Sequence, residues 1–210
     1  MTRCKFVMCL LVLLPVAGCA QQPVLDPAPS IPTPAIEPAG APRHAADMSR
    51  LVPADLVIHS EYRGDLDADG DDDLLVVLAN ADASRRKSDL RTLMIFQRDS
   101  QGKLEKSVQN DRAIPCESCG GMMGDPLQGV KSTADGFLLR FEGGSRELWS
   151  EEYRFSYSDD AGTWLLREFE SAAFDKFTEA PGSSVVGPDE FGRVPIEKFD
   201  PTDFKGYATP

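Results

Sequence analysis

Asp65-Leu66-Asp67-Ala68-Asp69-Gly70-Asp71-Asp72-Asp73 runs straight into Leu74-Leu75-Val76-Val77-Leu78-Ala79, and this stretch decides how the chain is read. The second half is a short, unbroken, branched apolar run, the pattern of a strand buried on both faces. The first half places six aspartates within nine residues, which repel one another unless a counter-ion gathers them. Asp65, Asp67 and Asp69 alternate, Gly70 permits a sharp turn, Asp71 can offer its backbone carbonyl, and Asp73 falls at a ninth ligand position. A hard cation that takes six to eight oxygens needs this arrangement, so the expected ligands are Asp65, Asp67, Asp69, Asp71 and Asp73 and the expected ion is Ca2+. The competing reading is a solvated acidic turn.

The loop follows the EF-hand pattern in its first nine residues only. A full EF-hand loop ends on a bidentate Glu at position twelve and leads into a helix. Here that position is Val76, inside the apolar strand. Missing ligands must come from elsewhere in the fold or from water.

Working outward, the N-terminus reads as a targeting segment. Arg3 and Lys5 form a basic start, and Phe6 to Val16 a short apolar stretch, too short for a comfortable bilayer span. Val16-Ala17-Gly18-Cys19 resembles the lipobox of bacterial lipoproteins. That resemblance implies cleavage after residue 18 and acylation of Cys19. Ala20, rather than Asp, comes after the cysteine, which by the same resemblance implies an outer-membrane lipoprotein facing the periplasm. A plain secretory cleavage near Ala20 is the alternative. Residues 19–46 hold Pro23, Pro27, Pro29, Pro32, Pro34, Pro38 and Pro42 and few large apolar side chains, so they read as an anchor and a semi-extended tether. The rest of the chain suits one domain: a β-rich calcium-binding part over 47–175 and a mostly irregular C-terminal part over 176–210.

The formal charge is −12, and −14 once Arg3 and Lys5 leave with the signal. Such a chain does not bind nucleic acid or anionic lipid through bulk electrostatics, and it attracts basic partners. Cys4 and Cys9 leave with the signal and Cys19 takes lipid, so Cys116 and Cys119 remain as a disulfide pair of an exported protein. A thioredoxin-type redox motif would open a helix, whereas Gly120-Gly121 comes next here.

The first strand is expected over Leu56–Glu61, the apolar core strands over Leu74–Ala79 and Leu90–Arg98, and a polar loop between them from Ala81 to Asp89. A hairpin at Ser100–Lys103 leads into Leu104–Val108, and a glycine-rich loop spans Asn110 to Leu127. Gly129–Ser132 and Phe137–Phe141 form a further hairpin. Trp149, Tyr153, Phe155 and Tyr157 alternate with Ser150, Glu152, Arg154 and Ser156, the clearest period of two in the chain, and Trp164–Phe169 comes after it. No stretch keeps helical periodicity for three turns. The fold class is therefore all-β, as a propeller-like array or a sandwich.

A binding protein is expected rather than an enzyme: the 34 acidic residues offer many carboxylate pairs for glycoside hydrolysis, and no local signature picks one out. Histidine is limited to His44 and His59, and Gly143-Gly144-Ser145 lacks the strand-to-helix elbow of a hydrolase nucleophile. His59 reads as a strand residue with a satisfied ring. Met122 and Met123 on the stapled loop either pack inward or form a contact surface.

The lipobox, the proline tether, the Asp65–Gly70 loop feeding a strand, and the order Cys119-Gly120-Gly121, Gly124-Asp125-Pro126, Gly143-Gly144-Ser145 resemble one group of proteins. These are the periplasmic calcium-binding immunity lipoproteins of bacterial-killing type IV secretion systems, which are lysozyme-inhibitor-like and β-propeller-like. The resemblance spans Leu56 to Phe169. It implies a membrane-anchored, calcium-stabilised binding protein that inhibits a basic cell-wall hydrolase or antibacterial effector. A peptidoglycan-acting enzyme or accessory and a structural envelope lipoprotein are the alternatives. No inhibitory residue is carried over.

Overall fold

The structure, a computed structural model, describes residues 51–205. The expected signal, the Cys19 anchor and the tether lie outside the described residues. Nine strands dominate: β1 (Leu56–Gly64), β2 (Asp73–Asn80), β3 (Arg91–Arg98), β4 (Leu104–Ile114), β5 (Leu127–Ser132), β6 (Gly136–Gly144), β7 (Glu147–Ser158), β8 (Thr163–Asp175) and β9 (Pro181–Val186). They form two antiparallel meanders, β1-β2-β3-β4 and β5-β6-β7-β8-β9, in sequence order without a crossover. The protein is all-β. Among the described residues the α-helices are single turns, α1 (Ala83–Arg86) and α2 (Pro188–Phe191).

The apolar run after the acidic loop forms β2, paired on both sides and buried along its length. Alternation then divides it between two clusters. Leu75 and Val77 join Leu93, Ile95 and Val108 in a core shared with Phe137, Leu139, Phe141, Tyr153, Phe155, Trp164, Leu166 and Phe169 of the second sheet. Leu74, Val76 and Leu78 face the other way, with Met94 and Phe96, against Leu51, Val52, Leu56 and Leu104. A strand with apolar partners on both faces needs no polar alternation, which is why this one has none.

β7 shows the opposite case. Tyr153 and Phe155 are fully buried, while Trp149 and Tyr157 are half-buried at the ends of the same face. The Tyr153 ring stacks on Phe169 at 4.7 Å and meets Phe141, Phe199 and Phe204 edge-on.

Several expected boundaries move. The segment 81–89, expected as a loop, contains α1, whose first turn is capped by Asp82 accepting from Ser84 N–H at 2.8 Å. The glycine-rich loop is shorter than expected, because β4 continues to Ile114. Asn110, where the loop was expected to begin, is buried and donates its side-chain amide to the carbonyls of Ile196 (2.6 Å) and Phe199 (2.7 Å). The C-terminal part is irregular apart from β9, α2 and two 3-10 turns, Ile196–Lys198 and Pro201–Phe204. Its apolar residues nevertheless complete the core: Ile196, Phe199 and Phe204 are all buried in the shared cluster.

Candidate metal centre

The acidic loop joins β1 to β2 and is fixed from below. Leu66 is its inward anchor, 2 % exposed, with its carbonyl accepting from Trp164 Nε1 at 2.5 Å and its N–H donating to Asp73 Oδ2 at 3.2 Å. Above that anchor the loop curls on its own side chains. Asp67 Oδ1 accepts from Asp69 N–H, Asp69 Oδ1 from Asp71 N–H, and Asp65 Oδ2 from Gly70 N–H at 3.1 Å. Gly70 has φ 97°, a conformation that glycine adopts freely; Ala68 holds φ 66° in the same turn.

This curl brings Asp65, Asp67 and Asp69 together, with one oxygen of each within 4.8 Å of the others. Pairs of negative charges about this far apart repel by roughly 1 kcal/mol in water and about 4 kcal/mol near a protein surface. Asp65 Oδ1 is buried and has no hydrogen-bond partner. An ionised oxygen withdrawn from water without a donor is unfavourable unless a cation meets it. The donor set, carboxylate oxygens on a turn, fits a hard divalent ion.

The remaining expected ligands fare differently. Asp73 does not join the cluster. It is 1 % exposed at the start of β2, where alternation turns it inward, and its oxygens accept from Leu66 N–H and from Arg98 N–H at 3.0 Å. It braces the loop rather than lining its mouth. Burial pushes its carboxyl up to about 6, against the pull of those two N–H groups, and the charges of Asp67 and Asp69 push the same way as burial. Asp71 is exposed and outside the cluster; its N–H is spent on Asp69. Val76 is fully buried in β2, so no twelfth-position ligand arises from the loop.

Sequence reasoning missed the supporting residues. Gln97 holds Asp67 Oδ2 through Nε2 at 2.5 Å, and Arg98 adds a bond from Nε to the carbonyl of Asp72. Pairing of Leu74 with Phe96 sets the end of β3 beside the start of β2, a register that local spacing does not display. Trp164, 98 residues from its acceptor, left no local signal.

A second polar constellation holds the stapled loop. Cys116 and Cys119 stand at disulfide distance, with Cα atoms 5.1 Å apart. Native protein is expected to be lighter by two hydrogens than the reduced chain in intact mass, with neither thiol alkylated before reduction; free thiols would reopen other roles for the pair. No helix starts here: Cys119 N–H closes a turn on Cys116, and Gly120 and Gly121 run against Gly144. Gly143 has to lack a side chain, because a Cβ there would strike the Trp149 ring. Met122 and Met123 are 88 % and 52 % exposed, so the loop displays them rather than burying them.

The loop ends at Asp125, which takes a bidentate grip from Arg91 at 2.7 and 2.8 Å. Arg91 is 1 % exposed and donates from Nε to the carbonyl of Pro115 at 2.7 Å. His59 completes the group, its Nε2 3.2 Å from Asp125 Oδ2 and 3.1 Å from Arg91 Nη1. A bulge between Ile58 and Ser60 sets this histidine apart from the regular β1 pairing, and its ring is satisfied as expected.

Comparison of the chain with known protein families, curated proteins and solved structures gave no match.

Proposed function

We propose that this protein is a calcium-binding, non-enzymatic binding module of the bacterial envelope, lipid-anchored through Cys19 to the outer membrane and facing the periplasm. The observation that carries the metal reading is the convergence of Asp65, Asp67 and Asp69, with one Asp65 oxygen buried and unpartnered. The loop is exposed on its outer side and pinned by Leu66, Asp73 and Trp164 on its inner side, as a structural ion site needs. The finer architecture we read as a sandwich, because one apolar core is drawn from facing residues of both sheets.

With three carboxylates and no position-twelve Glu, the site belongs with weak extracellular calcium sites, with a Kd on the order of 0.1–1 mM. At a hundredfold excess over Kd, calcium stabilises the domain by about 2.7 kcal/mol. That corresponds to a rise in Tm of roughly 5–10 °C for a domain of this size. Calcium is expected to act better than magnesium, which gives up its waters reluctantly. Asp67→Ala with Asp69→Ala is expected to remove the response. Melting curves with chelator, calcium and magnesium decide it; superimposable curves would exclude the site.

For the partner we propose a basic cell-wall hydrolase or antibacterial effector, on the resemblance to immunity lipoproteins and on the net charge of −12. The purified chain should block peptidoglycan lysis by that enzyme near equimolar ratio, with a salt-sensitive affinity, and lyse nothing alone. Lysis by the chain itself would replace the inhibitor reading with an enzymatic one.

A further inference from the structure

The two sheets have four edges, and three of them carry the charges that discourage edge-to-edge pairing. β1 bears Glu61 and Arg63, β4 bears Glu105, Lys106, Asp111 and Arg112, and β5 bears Lys131. Lysine and other charges on an edge strand make pairing with a second strand unfavourable. β9, the outer edge of the five-stranded sheet, reads Pro181-Gly182-Ser183-Ser184-Val185-Val186. It is the one strand of the nine without an ionisable side chain, in a chain of net charge −12.

The backbone of this edge can be assigned. Asp175 N–H donates to the Ala180 carbonyl at 3.1 Å, next to the Phe174–Pro181 pair of the β8–β9 ladder. Hydrogen-bonded pairs alternate along an antiparallel ladder, so Gly182, Ser184 and Val186 point their backbone groups toward β8. Ser183 and Val185 then direct theirs outward, together with the Pro181 carbonyl. Among the described residues no strand pairs with them. On the solvent face, Leu148, Phe174 and Pro181 lie in one cross-strand row. Phe174 is 39 % and Val185 63 % exposed.

We propose that β9 is a self-pairing edge, through which two copies of this chain join antiparallel about a two-fold axis at Ser183 to make one ten-stranded sheet. In that register each Ser183 exchanges both backbone bonds with its counterpart, and each Val185 N–H reaches the Pro181 carbonyl opposite, about four bonds in all. Val185 of one copy extends the Leu148–Phe174–Pro181 row of the other, so the same exposed apolar groups are covered on both sides. Such an isologous contact closes on itself and needs no second kind of surface. Glu170, the acid paired with Val185, stays one strand back from the junction. The inference stands apart from the calcium site and from any hydrolase partner.

Sedimentation equilibrium of the full chain in density-matched detergent tests it, from micromolar to submillimolar concentration. The expected result is a monomer–dimer equilibrium that Val185→Lys shifts to monomer by at least tenfold in Kd. Ser183→Pro removes an outward N–H and should do the same. Cysteine cross-linking then reads the register. The Cα atoms of the two Ser183 residues would lie about 5.5 Å apart, within disulfide reach, and those of the two Val185 residues about 14 Å apart. Ser183→Cys is therefore expected to give a covalent dimer under mild oxidation beyond the parent's background, and Val185→Cys is not. A monomer at every concentration, a larger open assembly, equal cross-linking at both positions, or a dimer indifferent to Val185→Lys would each overturn the proposal.

Discussion

Asp125→Ala is expected to destabilise the domain by about 3–5 kcal/mol, because it leaves a buried guanidinium without its counter-charge. Arg91 is 1 % exposed and its bidentate acceptor is Asp125, whose own side chain is 32 % exposed. That difference predicts an order of effects. Arg91→Met removes the buried charge and leaves a carboxylate that water can reach, so it should cost clearly less than Asp125→Ala. Asp125 also accepts from Leu127 N–H at 2.9 Å, so its loss frees the start of β5 and the end of the stapled loop together. The pair acts as one unit, and the double variant Arg91→Met with Asp125→Ala should be less damaging than the sum of the two. Urea denaturation of the four proteins reads this directly. Equal single effects that add would show that the guanidinium does not depend on this carboxylate.

The second large effect lies in the aromatic core. Tyr153→Ala is expected to cost about 3–5 kcal/mol, through lost burial and the cavity left behind. The ring is fully buried between Phe141 and Phe169 of its own sheet and Phe199 and Phe204 of the C-terminal segment. Its hydroxyl donates to Glu151 Oε2 at 2.9 Å, a carboxyl held above the ordinary carboxylate range by burial. Tyr153→Phe keeps the ring and removes one donor, so about 1–2 kcal/mol is expected there. A Tyr153→Ala cost no greater than that of Tyr153→Phe would mean that the C-terminal segment does not depend on this ring.

These two sites mark the limits of what the sequence discloses. β2 and the face of β7 are legible because their side-chain patterns arise directly from burial on two faces or on one. The end of β4 is not, because Asn110 is polar and buried, satisfied by carbonyls 86 and 89 residues away. The C-terminal residues Ile196, Phe199 and Phe204 enter the core from 3-10 turns and extended backbone, where proline-rich sequence keeps no period.

The candidate site divides along the same line. Asp65, Asp67 and Asp69 converge because a local turn with Gly70 brings them together, and local spacing is what a sequence displays. Asp73 looked equivalent by spacing but belongs to β2, whose alternation turns it under the loop. Gln97 and Trp164 reach the loop through tertiary pairing alone. Arg91 and Asp125 stand 34 residues apart, and neither carries in the sequence any mark of its partner.

Trp164 offers a reporter beside the loop from Asp65 to Asp73, where we propose that calcium binds. Its indole donates to the Leu66 carbonyl inside the loop, so a terbium ion bound at Asp65, Asp67 and Asp69 would lie within range of that ring for energy transfer. The measurement is tryptophan-sensitised terbium luminescence of the full chain, titrated with calcium. The expected result is saturable emission that calcium displaces at about 0.1–1 mM. Trp164→Phe should largely abolish it although Trp149 remains, and Asp67→Ala with Asp69→Ala should remove it. Emission that never saturates, that calcium does not displace, or that survives loss of both aspartates would contradict the account.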